Sequence, residues 1–302
     1  MSEYTPQHDR ACAALIGLAI GDALGMPSQT LSRSDIRRHY GEITTFVPPI
    51  ADHPVSHGLR AAQVTDDTEQ AFLLANRLIN DAGDIDQALW AKDLLSWEKD
   101  VRKRGLRDLL GPSSKAALGA MLAGASVNET GRYGTTNGAA MRITPVGIAT
   151  PLFPLPHFLD RVEMACQMTH NTGEAIAAAS AVAAVVSCGV KGQSFDSALE
   201  SGLRAAKDGQ ARGYAEGVDD LARDAELGQS RRNLFGGKGR HGRLPEQGGI
   251  LVIELTVRAD EEELQAGRDA ARGNPVDECC ALLEGGDGVH DCLQLVSGFG
   301  GI

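Results

Sequence analysis

Four oxygen-bearing side chains, Thr65-Asp66-Asp67-Thr68, stand at the start of a segment with the hydrophobic spacing of an α-helix. Carboxylates and hydroxyls are hard ligands, which suit Mg²⁺ or Mn²⁺ better than zinc, for which histidine and thiolate would be expected. The same residue types are also favoured at helix N-termini, where they accept hydrogen bonds from free backbone amides. The motif alone therefore leaves two interpretations open, a divalent-cation site and an ordinary helix cap.

An isolated acid, Asp22, lies in a segment of otherwise small and apolar residues, Gly-x-x-x-Gly-Asp-Ala-Leu-Gly-Met-Pro, at positions 17–27. A carboxylate that is buried loses its hydration, and only a partner or a metal ion offsets that loss. We therefore expect Asp22 to interact with another part of the chain.

Two further polar stretches are candidates for ligand contact. Residues 135–142 read Thr-Thr-Asn-Gly-Ala-Ala-Met-Arg, and a glycine there lets backbone amides approach a ligand closely. Arg142 at the end of this stretch has a second interpretation, as a scaffold residue paired with Asp22 or another acid. Thr169-His170 lies between two predicted helices, where His170 either contacts a ligand or caps its helix.

The elements that must position these side chains are predicted to be helices. The clearest is 66–80, where apolar residues recur at the spacing of one buried helix face, whereas Gln70 and Arg77 are expected on the opposite side. The buried face is formed by Ala71, Leu74, Ala75 and Leu78. Further helices are predicted at 11–24, 86–98, 113–123, 157–168, 173–190 and 194–207, with Asp86 and Ser113 as caps.

The composition favours an all-α protein. Aromatic residues make up only 4% of the chain, and glycine and alanine are abundant, which suits close helix packing better than a β-sandwich. We expect a single compact multi-helix domain over 1–302. A mobile loop is predicted at 228–249, where glycines and basic residues are concentrated, and a helix at 250–257. The basic loop has two interpretations, a phosphate or nucleic-acid contact and a solvated surface loop.

Net charge and cysteine spacing exclude several classes of protein. A net charge of −11 argues against a general binder of nucleic acid or acidic membranes. The six cysteines form no C-x-x-C pair, so we expect reduced thiols in a cytoplasmic protein. The N-terminus has no apolar signal core, and the longest apolar stretch, 175–190, is short for a membrane span. The oligomeric state is left open.

The motifs, taken together and in order, resemble those of the ADP-ribosylglycohydrolase family, of the dinitrogenase reductase activating glycohydrolase type. The matching motifs are G-x-x-x-G-D-A-L-G-M-P, T-D-D-T, G-P-S-S-K, T-N-G-A-A-M-R-x-x-P-x-G and T-H. The resemblance is specific over about residues 11–184 and fades beyond about residue 210. It implies an all-α bundle in which a cleft binds ADP-ribose over magnesium ions, usually two.

The resemblance also implies roles for individual residues. Thr65, Asp66 and Asp67 would ligate magnesium, and the two carboxylates would take part in catalysis. The ADP-ribose contacts would be Asn137, Gly138, Ala139, Met141 and His170. The implied reaction is hydrolysis at the anomeric carbon of the distal ribose of an ADP-ribosylated protein or a related conjugate, with a water molecule as nucleophile.

The chain departs from the family's pattern after the first motif. Members of the family commonly carry an acid two residues after the proline that corresponds to Pro27, a residue discussed as a general base. Gln29 stands at that position. Glutamine hydrogen-bonds to substrate or water but does not accept a proton near neutral pH. Any catalytic role of Gln29 would therefore differ from that of a general base.

A second departure lies near the C-terminus, where the family has a G-G-D-x-D-T motif that completes the metal site. Gly285-Gly286-Asp287 matches its first half, so Asp287 is a further candidate ligand, but Val289 and His290 replace the second acid and the threonine. Fewer oxygen ligands weaken the second magnesium site. An alternative therefore stays open, a catalytically impaired homologue that binds ADP-ribose or acts as a scaffold.

Overall fold

The computed structural model describes residues 5–106 and 110–214. Within these ranges the fold is built from α-helices and two short 3₁₀ turns without strands, so the all-α prediction is confirmed. The helices are α1 Pro6–Gly25, α2 Arg33–His39, α3 Asp66–Asn80, α4 Gln87–Lys103, α5 Pro112–Leu122, α6 Val127–Thr130, α7 Thr144–Ala149, α8 Leu155–Cys166, α9 Gly173–Val190 and α10 Phe195–Gln210; the 3₁₀ turns are Met26–Ser28 and Ala140–Arg142.

Several predictions fall on residues that lie outside the described ranges. They are the loop at 228–249, the helix at 250–257 and the candidate ligand Asp287. The extent of the domain over 1–302 also stays a prediction.

Helix α9 forms the centre of the described fold. It packs against α1, α7, α8 and α10, and nearly all of its alanine- and valine-rich length is buried. Small residues allow this packing because a Cβ atom on Gly147 of α7 would lie 2.5 Å from the Ala183 carbonyl oxygen of α9. The prediction of close helix packing is confirmed at this contact.

Helix α3 has the bounds that its hydrophobic spacing predicts, and its predicted apolar face is buried. The prediction that Gln70 faces away from the core is wrong, since the side chain is fully buried. Gln70 lies one helical turn before Leu74 and therefore shares its face. Its amide oxygen accepts a hydrogen bond from Arg142 at 2.9 Å, which satisfies a polar group in the core.

The predicted caps have different outcomes. The Asp86 carboxylate accepts hydrogen bonds from the amides of Ala88 and Leu89, both at 2.9 Å, so it caps α4 as predicted. The Ser113 cap is wrong, because α5 begins one residue earlier at Pro112, with Gly111 as its N-cap. Proline is favoured at the first position of a helix, where no amide donor is needed.

Ion pairs fix α4 and the turn after it to α3. Arg104 donates to both carboxylate oxygens of Glu69, at 2.8 and 2.7 Å, and the Trp97 indole donates to the same group at 2.5 Å. Arg77 of α3 donates to Asp93 of α4 at 3.0 Å. Glu69 is thus engaged in the scaffold, although it directly follows the T-D-D-T motif.

Two segments, Pro6–Ser28 and Gly173–Val190, are long and apolar enough to cross a membrane by length and composition alone. In each segment the share of an 18-residue apolar stretch that is buried inside the fold is 56% for the first and 78% for the second. Core helices of a folded domain meet the same criteria. Within the described residues, Cys12, Cys166 and Cys188 are buried thiols that form no disulfide.

Candidate functional site

The carboxylate of Asp22, near the end of α1, caps the N-terminus of α3. One oxygen accepts from the Thr65 hydroxyl at 2.7 Å, and the other accepts from the Thr65 amide at 2.7 Å and from the Thr68 hydroxyl and amide at 2.6 and 3.2 Å. Thr65, the N-cap by position, makes no capping hydrogen bond of its own. Asp22 therefore has the partner that its burial predicted, and that partner is a helix end.

Asp66 and Asp67 occupy the first turn of α3, beside the capping carboxylate. Asp66 is buried and Asp67 is half-buried. Burial, then repulsion from Asp67 and Asp22, raises the pKa of Asp66 well above its ordinary value. Burial and repulsion from Asp22 raise the pKa of Asp67 to about 7. The three carboxylates are close enough to oppose one another's ionisation, which a nearby dication would reverse.

The chemistry of this cluster fits a magnesium ion in part. Asp66 and Asp67 form no ion pair with a basic side chain of the described residues, and Thr65 adds a hydroxyl oxygen beside them. Asp22 is less suited as a ligand because both of its oxygens already accept hydrogen bonds. No group of three or more His, Cys, Asp or Glu residues within 5–106 and 110–214 is arranged to hold a metal ion. The ligand roles of Thr65, Asp66 and Asp67 therefore stay predictions, and these three residues alone would fill only part of a coordination shell.

The predicted binding loop lies directly on the segment that joins α8 to α9. A Cβ atom on Gly138 would lie 2.6 Å from Cε1 and 2.9 Å from Nε2 of the His170 ring, so only glycine lets the loop approach this closely. Asn137 is exposed and Met141 half-buried, whereas Gly138 and Ala139 are buried. The binding roles of these residues stay predictions, and Asn137 is the best placed of them to meet a ligand.

His170 is fully buried, and its ring contacts other parts of the protein. Nε2 lies 2.9 Å from the Thr136 hydroxyl oxygen and Nδ1 lies 2.8 Å from that of Thr169. Burial, assisted by the charge of Arg142, lowers the pKa of His170 to about 3, so the ring is neutral at physiological pH. This geometry gives His170 a role in holding the loop, and its contact with ADP-ribose stays a prediction.

Arg142 is fully buried among α3, α4 and the end of α8. One interpretation of the sequence paired Arg142 with Asp22, but the two side chains form no hydrogen bond. Instead it donates to Gln70 at 2.9 Å and to Thr169 at 2.5 Å, and its guanidinium lies 5.4 Å from the centre of the Trp90 ring. Burial lowers the pKa of Arg142 to about 10, which still leaves it charged. Sequence reasoning missed the Gln70 and Thr169 contacts; the helical register of Gln70 is the signal that points to the first.

Gln29 follows the 3₁₀ turn Met26–Ser28 and is half-buried. The Ser56 hydroxyl lies 3.1 Å from the Met26 carbonyl oxygen and 3.4 Å from the Gln29 amide oxygen. The buried His53 ring in turn accepts the Ser56 amide at Nδ1, at 2.8 Å. A loop that sequence reasoning did not single out thus supports the position where the family commonly has an acid.

The sequence is similar to known proteins. The family model for ADP-ribosylglycohydrolase matches residues 3–262, well beyond the point at which the motif resemblance fades. The uncharacterized protein YegU of Escherichia coli (strain K12) is 36% identical over 193 residues, which cover 64% of this chain and 58% of the relative. The ADP-ribosyl-[dinitrogen reductase] glycohydrolase of Rhodospirillum rubrum is 32% identical over 152 residues, 47% of this chain and 45% of the relative. The chain thus spans roughly half the length of these curated relatives.

A solved structure of an ADP-ribosylglycohydrolase-related protein complex has the same fold. It superposes with a TM-score of 0.50 and 23% sequence identity, covering 83% of this chain and 74% of that chain. At this identity the likeness concerns the arrangement of helices, in keeping with the all-α architecture described above.

Proposed function

The chain belongs to the ADP-ribosylglycohydrolase family, and on that premise we propose that it is a magnesium-dependent hydrolase that removes ADP-ribose from an ADP-ribosylated protein or a related conjugate. The observation that carries the proposal is the carboxylate cluster at the start of α3. Asp66 and Asp67 are held where burial and mutual repulsion disfavour their charge, at the position of the family's T-D-D-T motif. Such an arrangement is unfavourable for folding alone and favourable for binding a dication.

In this proposal the residues of α3 hold the ion. The Thr65 hydroxyl oxygen and the Asp66 and Asp67 carboxylates would be its ligands, and Asp22 fixes the helix turn from which all three project. A bound Mg²⁺ would supply a positive charge that orients ribose hydroxyls and activates water. The ligands that complete its coordination would be water, substrate or Asp287, which lies outside the described residues.

The loop at 135–142 would bind the ADP-ribose moiety. Asn137 is exposed at its surface, and Gly138 and Ala139 bring the backbone down onto the His170 segment. Because the net charge of the chain is −11, an anionic ligand needs local donors or the cation to offset long-range repulsion. In the proposed site, backbone amides of this loop together with the cation would meet that need.

Gln29 supports a second candidate function, a homologue that binds ADP-ribose with little or no turnover. Within the described residues its amide oxygen receives one long hydrogen bond, from Ser56 at 3.4 Å, and glutamine does not act as a general base. Hydrolysis would then require another base. Binding of ADP-ribose without release of product from an ADP-ribosylated substrate would select this function over the first.

Calorimetric titration of the full chain with MgCl₂ and then ADP-ribose tests both functions. In the double variant Asp66→Asn plus Asp67→Asn, we expect Mg²⁺ binding to fall at least about 100-fold, because two charged ligands are lost. Mg²⁺-dependent ADP-ribose binding should fall with it. A matched control is Asp196→Asn plus Glu200→Gln, which removes two exposed acids from the start of α10.

The control variant should bind as the wild type does. Folded wild-type protein that binds neither Mg²⁺ nor ADP-ribose would contradict both candidate functions and leave a scaffold role. Turnover is measured on the same samples with ADP-ribosylated arginine and serine peptides, which offer two different linkages.

A further inference from the structure

A continuous line of hydrogen bonds joins α3 to the predicted binding loop. The Arg142 guanidinium donates to Gln70 of α3 and, at 2.5 Å, to the Thr169 hydroxyl oxygen. The Thr169 hydroxyl lies 2.8 Å from His170 Nδ1, and His170 Nε2 lies 2.9 Å from the Thr136 hydroxyl oxygen. Arg142, Thr169 and His170 are all buried, so water does not compete for these bonds.

The charge of Arg142 sets the direction of the first bonds in this line. A guanidinium only donates, so the Thr169 hydroxyl oxygen must accept from it. The hydroxyl hydrogen of Thr169 then has one acceptor among the described residues, His170 Nδ1. The opposite arrangement, with Nδ1–H donating to Thr169, would leave a buried hydroxyl hydrogen unpaired at a cost of about 1–3 kcal/mol.

The same reasoning extends through the ring to the loop. His170 is neutral, since burial lowers its pKa to about 3, and its single hydrogen therefore resides on Nε2 when Nδ1 accepts. The Nε2–H group donates to the oxygen of Thr136. The hydroxyl hydrogen of Thr136 consequently points away from His170, and Thr136 has no other side-chain hydrogen bond within the described residues.

Thr136 is half-buried and directly precedes the exposed Asn137. We propose that His170 is a positioning residue whose tautomer, set by Arg142 and Thr169, orients the Thr136 hydroxyl as a hydrogen-bond donor to an acceptor oxygen of bound ADP-ribose. The inference rests on the proposed function for the identity of the ligand. On this proposal, Thr136 selects a ligand that has a hydrogen-bond-accepting oxygen at this point of the loop. His170 does not contact the ligand and acts through Thr136.

The tautomer is measured without any ligand. Nitrogen NMR of protein labelled with ¹⁵N-histidine distinguishes protonated from unprotonated ring nitrogens, and the signals of His170 are assigned by their absence in His170→Asn. We expect Nε2–H and an unprotonated Nδ1 at pH 7, unchanged at pH 5. An Nδ1–H ring or a charged ring at pH 7 would overturn the proposal.

The line of hydrogen bonds from Arg142 through Thr169 and His170 to Thr136, called the relay below, is tested at Thr169. Thr169→Val removes the hydroxyl and keeps the shape, so the His170 signals should shift towards a mixture of tautomers. Thr169→Ser restores the hydroxyl and should restore the wild-type spectrum. A variant that merely loosened the packing would disturb both spectra alike, and the proposal would then be wrong about the relay.

Ligand binding is tested at Thr136. Thr136→Val should weaken ADP-ribose binding roughly 10-fold, because the donor is lost, whereas Thr136→Ser should bind within about 2-fold of the wild type. The control is Thr45→Val, which removes an exposed hydroxyl outside this loop and should leave binding unchanged. Wild-type affinity in Thr136→Val would overturn the proposal. Failure of the wild type to bind ADP-ribose would contradict the proposed function, while the nitrogen spectra would still decide the direction of the relay.

Discussion

At the scale of single residues, the carboxylates at the start of α3 carry a cost that the fold does not offset. Burial is the largest cause of the raised pKa of both Asp66 and Asp67, and repulsion between neighbouring acids adds to it. Burial raises the pKa of Asp22 as well, but four hydrogen bonds donated by Thr65 and Thr68 act against that rise. Asp22 therefore stabilises the start of α3 as a cap, whereas the charges of Asp66 and Asp67 in its first turn need a cation.

This difference predicts how stability depends on pH in the absence of metal. The pKa of Asp67 rises from 3.8 to about 7 in the folded protein, so between these values the folded state binds more protons than the unfolded state. The contribution of Asp67 to stability is therefore lost as pH rises from about 4 to about 7. We expect Asp67→Asn to be more stable than the wild type by about 1–2 kcal/mol at pH 7.5, after allowance for its partial exposure, and by little at pH 4.

Urea unfolding at pH 4, 6 and 7.5 measures this dependence. Asp196→Asn, at an exposed position in the first turn of α10, is the control and should show no gain that grows with pH. Adding MgCl₂ at pH 7.5 should stabilise the wild type more than Asp67→Asn, because binding to the folded state raises stability. A variant that is less stable than the wild type at pH 7.5 without metal would show that burial does not destabilise the charged carboxylate.

At the scale of elements, the start of α3 depends on a residue from α1. Several helices of the described fold are capped by the side chain of their own N-cap residue, as Asp86 caps α4. Asp22 instead reaches the N-terminus of α3 across 43 residues of sequence. The cap thus fixes both the helix end and the angle at which α1 passes the carboxylate cluster.

Substitution of the two caps separates these roles. Asp22→Ala leaves the Thr65 and Thr68 donors unpaired in a buried site, and we expect it to lower the free energy of unfolding by roughly 3 kcal/mol. Asp86→Ala, at an exposed cap, should cost only about 1 kcal/mol. Both are measured by urea unfolding followed by circular dichroism at pH 6. Equal losses would show that Asp22 acts as an ordinary local cap.

The elements also show how far the sequence predicts this structure. The bounds of α3 and α9 were predictable because long hydrophobic periods define them, and the T-D-D-T motif indicated which turn of α3 carries the acids. Helices α2, α6 and α7 span only seven, four and six residues, too few to repeat a hydrophobic pattern. The Arg142 contact with Gln70 joins residues 72 apart, and no local signal specifies such a pairing.

At the scale of the whole molecule, close approach of helices positions the site. Helix α7 follows the binding loop directly and packs on α9, so the distance between these two helices sets where the loop ends. Gly147 determines that distance, because a Cβ there would meet the backbone oxygen of Ala183 at 2.5 Å and the Cβ of Val186 at 2.9 Å. Backbone atoms in the core of α9 have little freedom to move aside.

Gly147→Ala should therefore destabilise the protein although alanine favours helices. We expect a loss of about 2 kcal/mol, the cost of overpacking less the gain in helix propensity. Gly119→Ala is the matched control, since Gly119 also lies within a helix, α5, but a Cβ added there would meet no other part of the described chain within 4 Å. That substitution should stabilise by about 0.5–1 kcal/mol. Because the loop ends at α7, Gly147→Ala should also weaken ADP-ribose binding. Urea unfolding measures both variants, and opposite signs of the change in the free energy of unfolding would locate the constraint at the contact between α7 and α9.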